Sequence, residues 1–213
     1  AQAHFAKFLA VELLTTSNGI LVPWINAEWG RELNGIDPDY DLIAHGILRA
    51  KVLSRMQHFP FVLAHEALFR DVSGGRGQLG LVRTAPAAHK PVSRVYQGLA
   101  RLEGTPQAIE VTAGADDVTV FAGRDGSGTR VTLAFVVDDP AANSVTRVEL
   151  QARNLPWGAG PFDVSMSRVT QQSSDSGTGV ETVLNDTRSG GTLDLAFSIS
   201  PGAAGLYIVE IAP

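Results

Sequence analysis

Two kinds of hydrophobic periodicity divide the chain near Gly104. Before that point, Ala3–Leu14 carries Phe5, Phe8, Leu9, Leu13 and Leu14 at roughly helical spacing and runs into the stop signal Ser17-Asn18-Gly19. Gly19–Ile25 is a short, nearly continuous apolar run, the pattern of a strand buried on both faces. A polar loop, Asn26 to Pro38, comes next. In Asp39–Gln57 the residues Leu42, Ile43, Ile47, Leu48, Val52, Leu53 and Met56 form a stripe at 3.6 spacing, with Asp37 or Asp39 available to cap the helix. Phe59–Ala64 predicts a second buried strand, provided that Pro60 stands near its start. The glycine-rich loop Ser73–Gly77 leads through Gln78–Arg83 to Lys90-Pro91, and Val92, Val95, Tyr96, Leu99 and Leu102 predict a last helix ending at Gly104. Strand and helix in alternation read as βα units on a parallel sheet. Two such units neither close a barrel nor fill an open sheet, so this half predicts the tail of a larger α/β body.

From Thr105 the segments become short and rich in Val, Thr, Ile and Leu. They fall near 108–113, 117–122, 130–137, 145–151, 162–170, 180–185, 191–199 and 205–211. Leu193–Phe197 and Leu206–Ile211 are taken as alternating strands, and turn clusters such as Arg124–Gly128, Asp138-Asp139-Pro140 and Pro201-Gly202 separate the segments. The pattern predicts an antiparallel β-sandwich. Ser173–Gly179 reads as a low-complexity, mobile loop.

Composition narrows the picture. The 213 residues are 44% hydrophobic and 18% charged, enough to build a core. A net charge of −5 with no Lys/Arg cluster is a poor match for a nucleic-acid backbone, and no apolar run reaches the ~20 residues of a membrane span. The absence of Cys excludes thiol catalysis and thiolate metal sites but leaves the compartment open. Ala1-Gln2-Ala3-His4 does not read as a signal peptide, and a chain opening without Met is expected to be trimmed, cleaved or partial.

The most informative stretch is Val22–Glu32. Glu28 follows a predicted parallel strand and is flanked by Trp24, Asn26 and Trp29. Strand C-terminal ends are where α/β sheets build their clefts, and an apolar or amide-rich surround tunes a carboxyl toward acid or nucleophile. The plainer alternative is a loop Glu paired with Arg31 beside two core tryptophans. Glu66 stands at the matching place after the second strand. Adjacent strands lie ~4.8 Å apart, so Glu28 and Glu66 could face one cleft, as two carboxylates do in glycosidic hydrolysis. A structural bond from Glu66 to a backbone amide or to Arg83 is the competing role, and His65 is open between substrate contact and packing. His45, His58 and His89 share no metal-ligand spacing, so neither a metal site nor another cofactor is expected. Trp157 and Tyr207 could stack on a sugar or fill the sandwich core.

Ile25-Asn26-Ala27-Glu28-Trp29 resembles the seventh-strand nucleophile motif of family 39 glycoside hydrolases, the β-xylosidase and α-L-iduronidase group with a (β/α)8 barrel. Asp39–Gln57 is similar to the helix after that strand, His89–Val92 through Gly104 to the last barrel helix, and the family also carries a trailing β-sandwich. The resemblance implies the end of a (β/α)8 (TIM) barrel over 1–104 and a sandwich over 105–213. It implies Glu28 as nucleophile of a two-step retaining reaction on a carbohydrate, Asn26 and Trp29 along the sugar subsite, and Glu66 and Arg83 as substrate contacts near the strand-eight end. The family's acid/base is a Glu in an Asn-Glu motif after strand four. Only 27 residues precede Glu28 here, and Glu12, inside a predicted helix, is the one carboxylate among them. The acid/base and the first six strands are therefore expected from a companion polypeptide or unlisted sequence. A non-catalytic carbohydrate-binding or scaffold module is the rival reading; a self-contained small α/β protein using Glu28 and Glu66 is a third, weakened by its open sheet edges.

Overall fold

The computed structural model describes residues 24–29, 38–56, 61–66, 81–84, 87–112, 119–138 and 145–213. The predicted first helix, the first half of the first strand and the glycine-rich loop at 73–77 lie outside them. Strands β1 (Trp24–Trp29) and β2 (Phe61–Glu66) pair in parallel, with helix α1 (Ile43–Met56) between them in the chain. This is the βαβ unit that the alternating pattern predicts. A hairpin of β3 (Val82–Thr84) and β4 (Ala87–His89) leads into α2 (Pro91–Leu99) and a 3-10 turn at Ala100–Gly104. The hairpin was not part of the expectation.

Helix α1 begins four residues later than the apolar stripe suggests. Pro38–Asp41 forms a 3-10 turn instead. The first helical amide, at Ile43, donates to Gln171 Oε1 at 2.7 Å, so its acceptor comes from a distant part of the chain and not from Asp37 or Asp39. Asp41 is buried and carries out a different task, described below.

The remaining strands form two antiparallel sheets. β5 (Gln107–Ala108), β6 (Thr119–Arg124), β7 (Val131–Val137), β9 (Pro161–Thr170), β10 (Glu181–Ser189) and β12 (Gly205–Ala212) make one, in the order β10-β9-β12-β7-β6-β5. β8 (Thr146–Ala152) and β11 (Leu193–Ile199) make the other. Phe135, Phe162, Val164, Met166, Tyr207 and Val209 of the larger sheet pack against Leu193, Leu195 and Ile199 of the smaller one. That is the predicted sandwich.

Part of the larger sheet's outer face, on β7, β9 and β12, is not solvated. Ile43, Ile47 and Ala50 of α1 and Val95 of α2 pack on Ala134, Val136, Val169, Leu206 and Ile208. β12 therefore departs from the expected alternation: Leu206 and Ile208 face the helices while Tyr207 and Val209 face the sandwich core. Consecutive apolar residues, here Leu206–Val209, are what a strand stretch buried on both faces requires.

Ser173–Gly179 is likewise no simple loop. Gln171–Asp175 forms a short helix, α3, whose N-terminus is a reciprocal capping box: Ser173 N–H donates to Thr170 Oγ1 at 3.2 Å and Thr170 N–H to Ser173 Oγ at 3.0 Å. Ser173 Oγ also donates to the Gly179 carbonyl at 2.7 Å, closing the segment on itself. The serines that look like low complexity are its internal hydrogen bonds.

Candidate active site

Glu28 and Glu66 fall on neighbouring parallel strands. Asn26 is opposite Ala64 and Trp29 opposite Glu66, at the C-terminal ends of β1 and β2. Between these rungs β1 advances three residues and β2 two, so the Ala27–Glu28 step holds one extra residue. Such bulges recur beside active sites, where the backbone must depart from the regular pleat. Asn26, Glu28 and Trp29 thus lie within the strand and not beyond its end, and Glu66 is the last residue of β2. The apolar run ends at Ile25, whereas the backbone ladder continues past it to Trp29. The side-chain positions of these four residues and of His65, and all of His58, lie outside the described residues.

Arg83 stands on β3, after the connection that leaves β2. Its Nε lies 3.4 Å from Asp41 Oδ1, and Lys90 Nζ lies 3.4 Å from the same oxygen. Asp41 ends the 3-10 turn that follows β1, and Lys90 is the N-cap of α2. The Lys90 side chain has 0% exposure and the Arg83 side chain 26%. One carboxylate therefore joins the chain returning from β1 to the chain returning from β2. Sequence reasoning passed over Asp41 and Lys90. A usable signal was present: a cation at a helix N-terminus opposes the macrodipole, so a Lys before Pro91 called for an acid partner.

His45 is buried edge-on to Tyr40, ring centroids 4.8 Å apart, and His89 Nδ1 is 2.9 Å from Ser93 Oγ. Among the described residues no group of three His, Cys, Asp or Glu is arranged to hold a metal ion, and no helix is long and apolar enough to cross a membrane. In the sandwich, Trp157 packs on Phe162 with centroids 5.9 Å apart, and Tyr207 is 2% exposed, stacked on Phe135 at 5.6 Å. Both serve the core.

No protein-family model matches the sequence, and neither does any curated protein. Solved structures do. A glucosidase from Croceicoccus marinus is similar with a TM-score of 0.72 at 16% identity, over 96% of this chain and 49% of that one. A GH39 enzyme from Xanthomonas axonopodis pv. citri gives 0.70 at 14%, over 91% and 45%. A monomeric beta-xylosidase from Caulobacter crescentus CB15 gives 0.64 at 16%, over 91% and 46%. The chain shares a glycoside hydrolase fold. It spans about half the length of these glycoside hydrolases. The similarity covers 91–96% of the present chain.

Proposed function

We propose that this chain is a portion of a retaining glycoside hydrolase of family 39 type, with 1–104 closing a (β/α)8 barrel and 105–213 forming its β-sandwich. The observation that carries the reading is the position of Glu28, on a bulged strand one residue before the Trp29–Glu66 rung at the C-terminal end of a parallel pair. Likeness to glycosidases along almost the whole chain supports it.

Ionised Glu28 attacks the anomeric carbon as the bond to the leaving oxygen breaks, giving a covalent glycosyl-enzyme. An acid/base carboxyl from a companion polypeptide, or from sequence outside these 213 residues, gives its proton to the leaving oxygen. It then takes a proton from the water that attacks the same carbon and frees Glu28. Asn26 and Trp29 line the sugar subsite, and Glu66 contacts substrate from the next strand. The reaction needs no cofactor. Arg83 contacts substrate near the strand-eight end of the pocket.

In the assembled enzyme, a fluorinated xyloside and glucoside with a dinitrophenolate leaving group should trap the intermediate on the peptide containing Glu28. Glu28→Gln should lower turnover of the matching aryl glycoside at least a thousandfold while sugar binding persists. Trapping on another carboxylate, or unchanged turnover in Glu28→Gln, sinks the proposal. The 213 residues alone should show turnover indistinguishable from buffer.

A further inference from the structure

We propose that residues 171–179, between β9 and β10, are a strap that couples the two halves of the chain: whether this segment is closed sets whether the first turn of α1 is closed. The first turn of an α-helix leaves backbone N–H groups with no partner inside the helix, and a side chain just ahead of it commonly supplies an acceptor. At α1 that role falls to Gln171, whose Oε1 accepts from Ile43 N–H at 2.7 Å from 128 positions away.

Gln171 reaches that place because the segment around it is folded. It opens α3, and five residues are too few for a helix to stand by itself. The segment is held by its own bonds. Thr170 and Ser173 cap each other at 3.2 and 3.0 Å, Ser173 Oγ donates to the Gly179 carbonyl at 2.7 Å, and Gly179 N–H donates to the Ser173 carbonyl at 2.8 Å. Gln171 Nε2 donates to Asp175 Oδ2 at 3.0 Å, which orients the amide and leaves Oε1 for Ile43. Ser173 and Ser174 are buried. The segment also lies against α2: a Cβ at Gly179 would stand 3.0 Å from Arg94 Cδ. Loss of the Ser173 bonds releases the turn that carries Gln171, and the α1 start loses its acceptor with it. Loss of the bond to Ile43 in turn removes one support of the strap, since coupling between two sites is reciprocal.

Amide hydrogen exchange of the 213-residue chain, read residue by residue, tests the coupling. Ser173→Ala alters no atom of α1, yet it should speed exchange at Ile43 at least tenfold, together with Gly179. Gln171→Ala should do the same at Ile43. It should also speed Gly179 at least threefold, although it removes neither hydrogen bond that Gly179 makes with Ser173. Amides of β8 and β11 should stay within twofold of the parent in both variants. An unchanged Ile43 amide in Ser173→Ala, or an unchanged Gly179 amide in Gln171→Ala, overturns the proposal. A parallel rise across β8 and β11 overturns it too, because that is loosening of the whole chain. Gln171 is partly exposed, so its variant keeps the fold and decides the matter even if Ser173→Ala does not fold.

Discussion

Tyr207 sits in the middle of the large sheet, its ring stacked on Phe135 and its hydroxyl donating to the Ala203 carbonyl at 2.8 Å. Burial raises its pKa above the ordinary 10.0, an effect that Arg168 partly opposes. A raised folded-state value favours the neutral form, so its stabilisation is complete below pH 10 and is lost as pH climbs through the folded value. Tyr207→Phe should cost about 1 kcal/mol in urea unfolding at pH 8, for the lost hydrogen bond. It should also flatten the alkaline decline of the parent. Asp125 has the opposite sign. The Ser127 hydroxyl, then the Arg130 amide, hold its carboxyl well below the usual range, so its contribution is present above pH 3.8 and fades on acidification. Residue types such as these were legible, but partners were not. Nothing local tells a reader that Lys90 is buried against Asp41, because that fact depends on chain folding between residues 49 positions apart.

At the scale of elements, the places where sequence reasoning succeeded have local causes. Leu193–Phe197 alternates and is a strand with Leu193 and Leu195 inward. The places where it failed have distant ones: α1 starts at Ile43 because Gln171 supplies the acceptor, 128 positions away. Where α1 and α2 cross, Gly46 allows a close approach. A Cβ there would stand 2.7 Å from Val95 Cγ2 and 3.3 Å from the Val92 Cα. Alanine is favoured over glycine in a helix by ~1 kcal/mol, whereas overpacking costs ~1–3 kcal/mol. Val95 is β-branched and stiff, so the clash should win. Gly46→Ala is expected to lower stability by roughly 1 kcal/mol net in chemical denaturation. For α3, Ser173→Ala leaves the bond from its own amide to Thr170 Oγ1 but removes the one that Thr170 N–H donates to Ser173 Oγ and the one that Ser173 Oγ donates to Gly179, and should cost about 1–2 kcal/mol. Limited proteolysis should then cut within 171–179, a segment the parent protects.

Among the described residues, β8 and β11, the large sheet, and helices α1 and α2 pack as successive layers. Val136, Val169, Leu206 and Ile208 on the helix-facing side are each worth ~1.5–3 kcal/mol when buried. Together they rival the net stability of an ordinary domain. A fragment of 105–213 should therefore bind a hydrophobic dye more strongly, and self-associate more in sedimentation, than the 213-residue chain, which keeps both helices. Sequence reading divided the chain at Gly104 because the periodicity changes there, and that change is real. Periodicity, however, reports which face of an element is apolar and not which neighbour covers it. The parallel pairing of Glu28's strand with that of Glu66 was legible from two short apolar runs; the ion pairs at Asp41 were not, since they are made of charges.

The doubly covered strand β12 bears on how chains of this fold can be recombined. A breakpoint placed at the change of periodicity would hand Leu206 and Ile208 to foreign helices never shaped to them. Successful exchanges between chains of this fold should instead carry α1, α2 and the sandwich across as one heritable block.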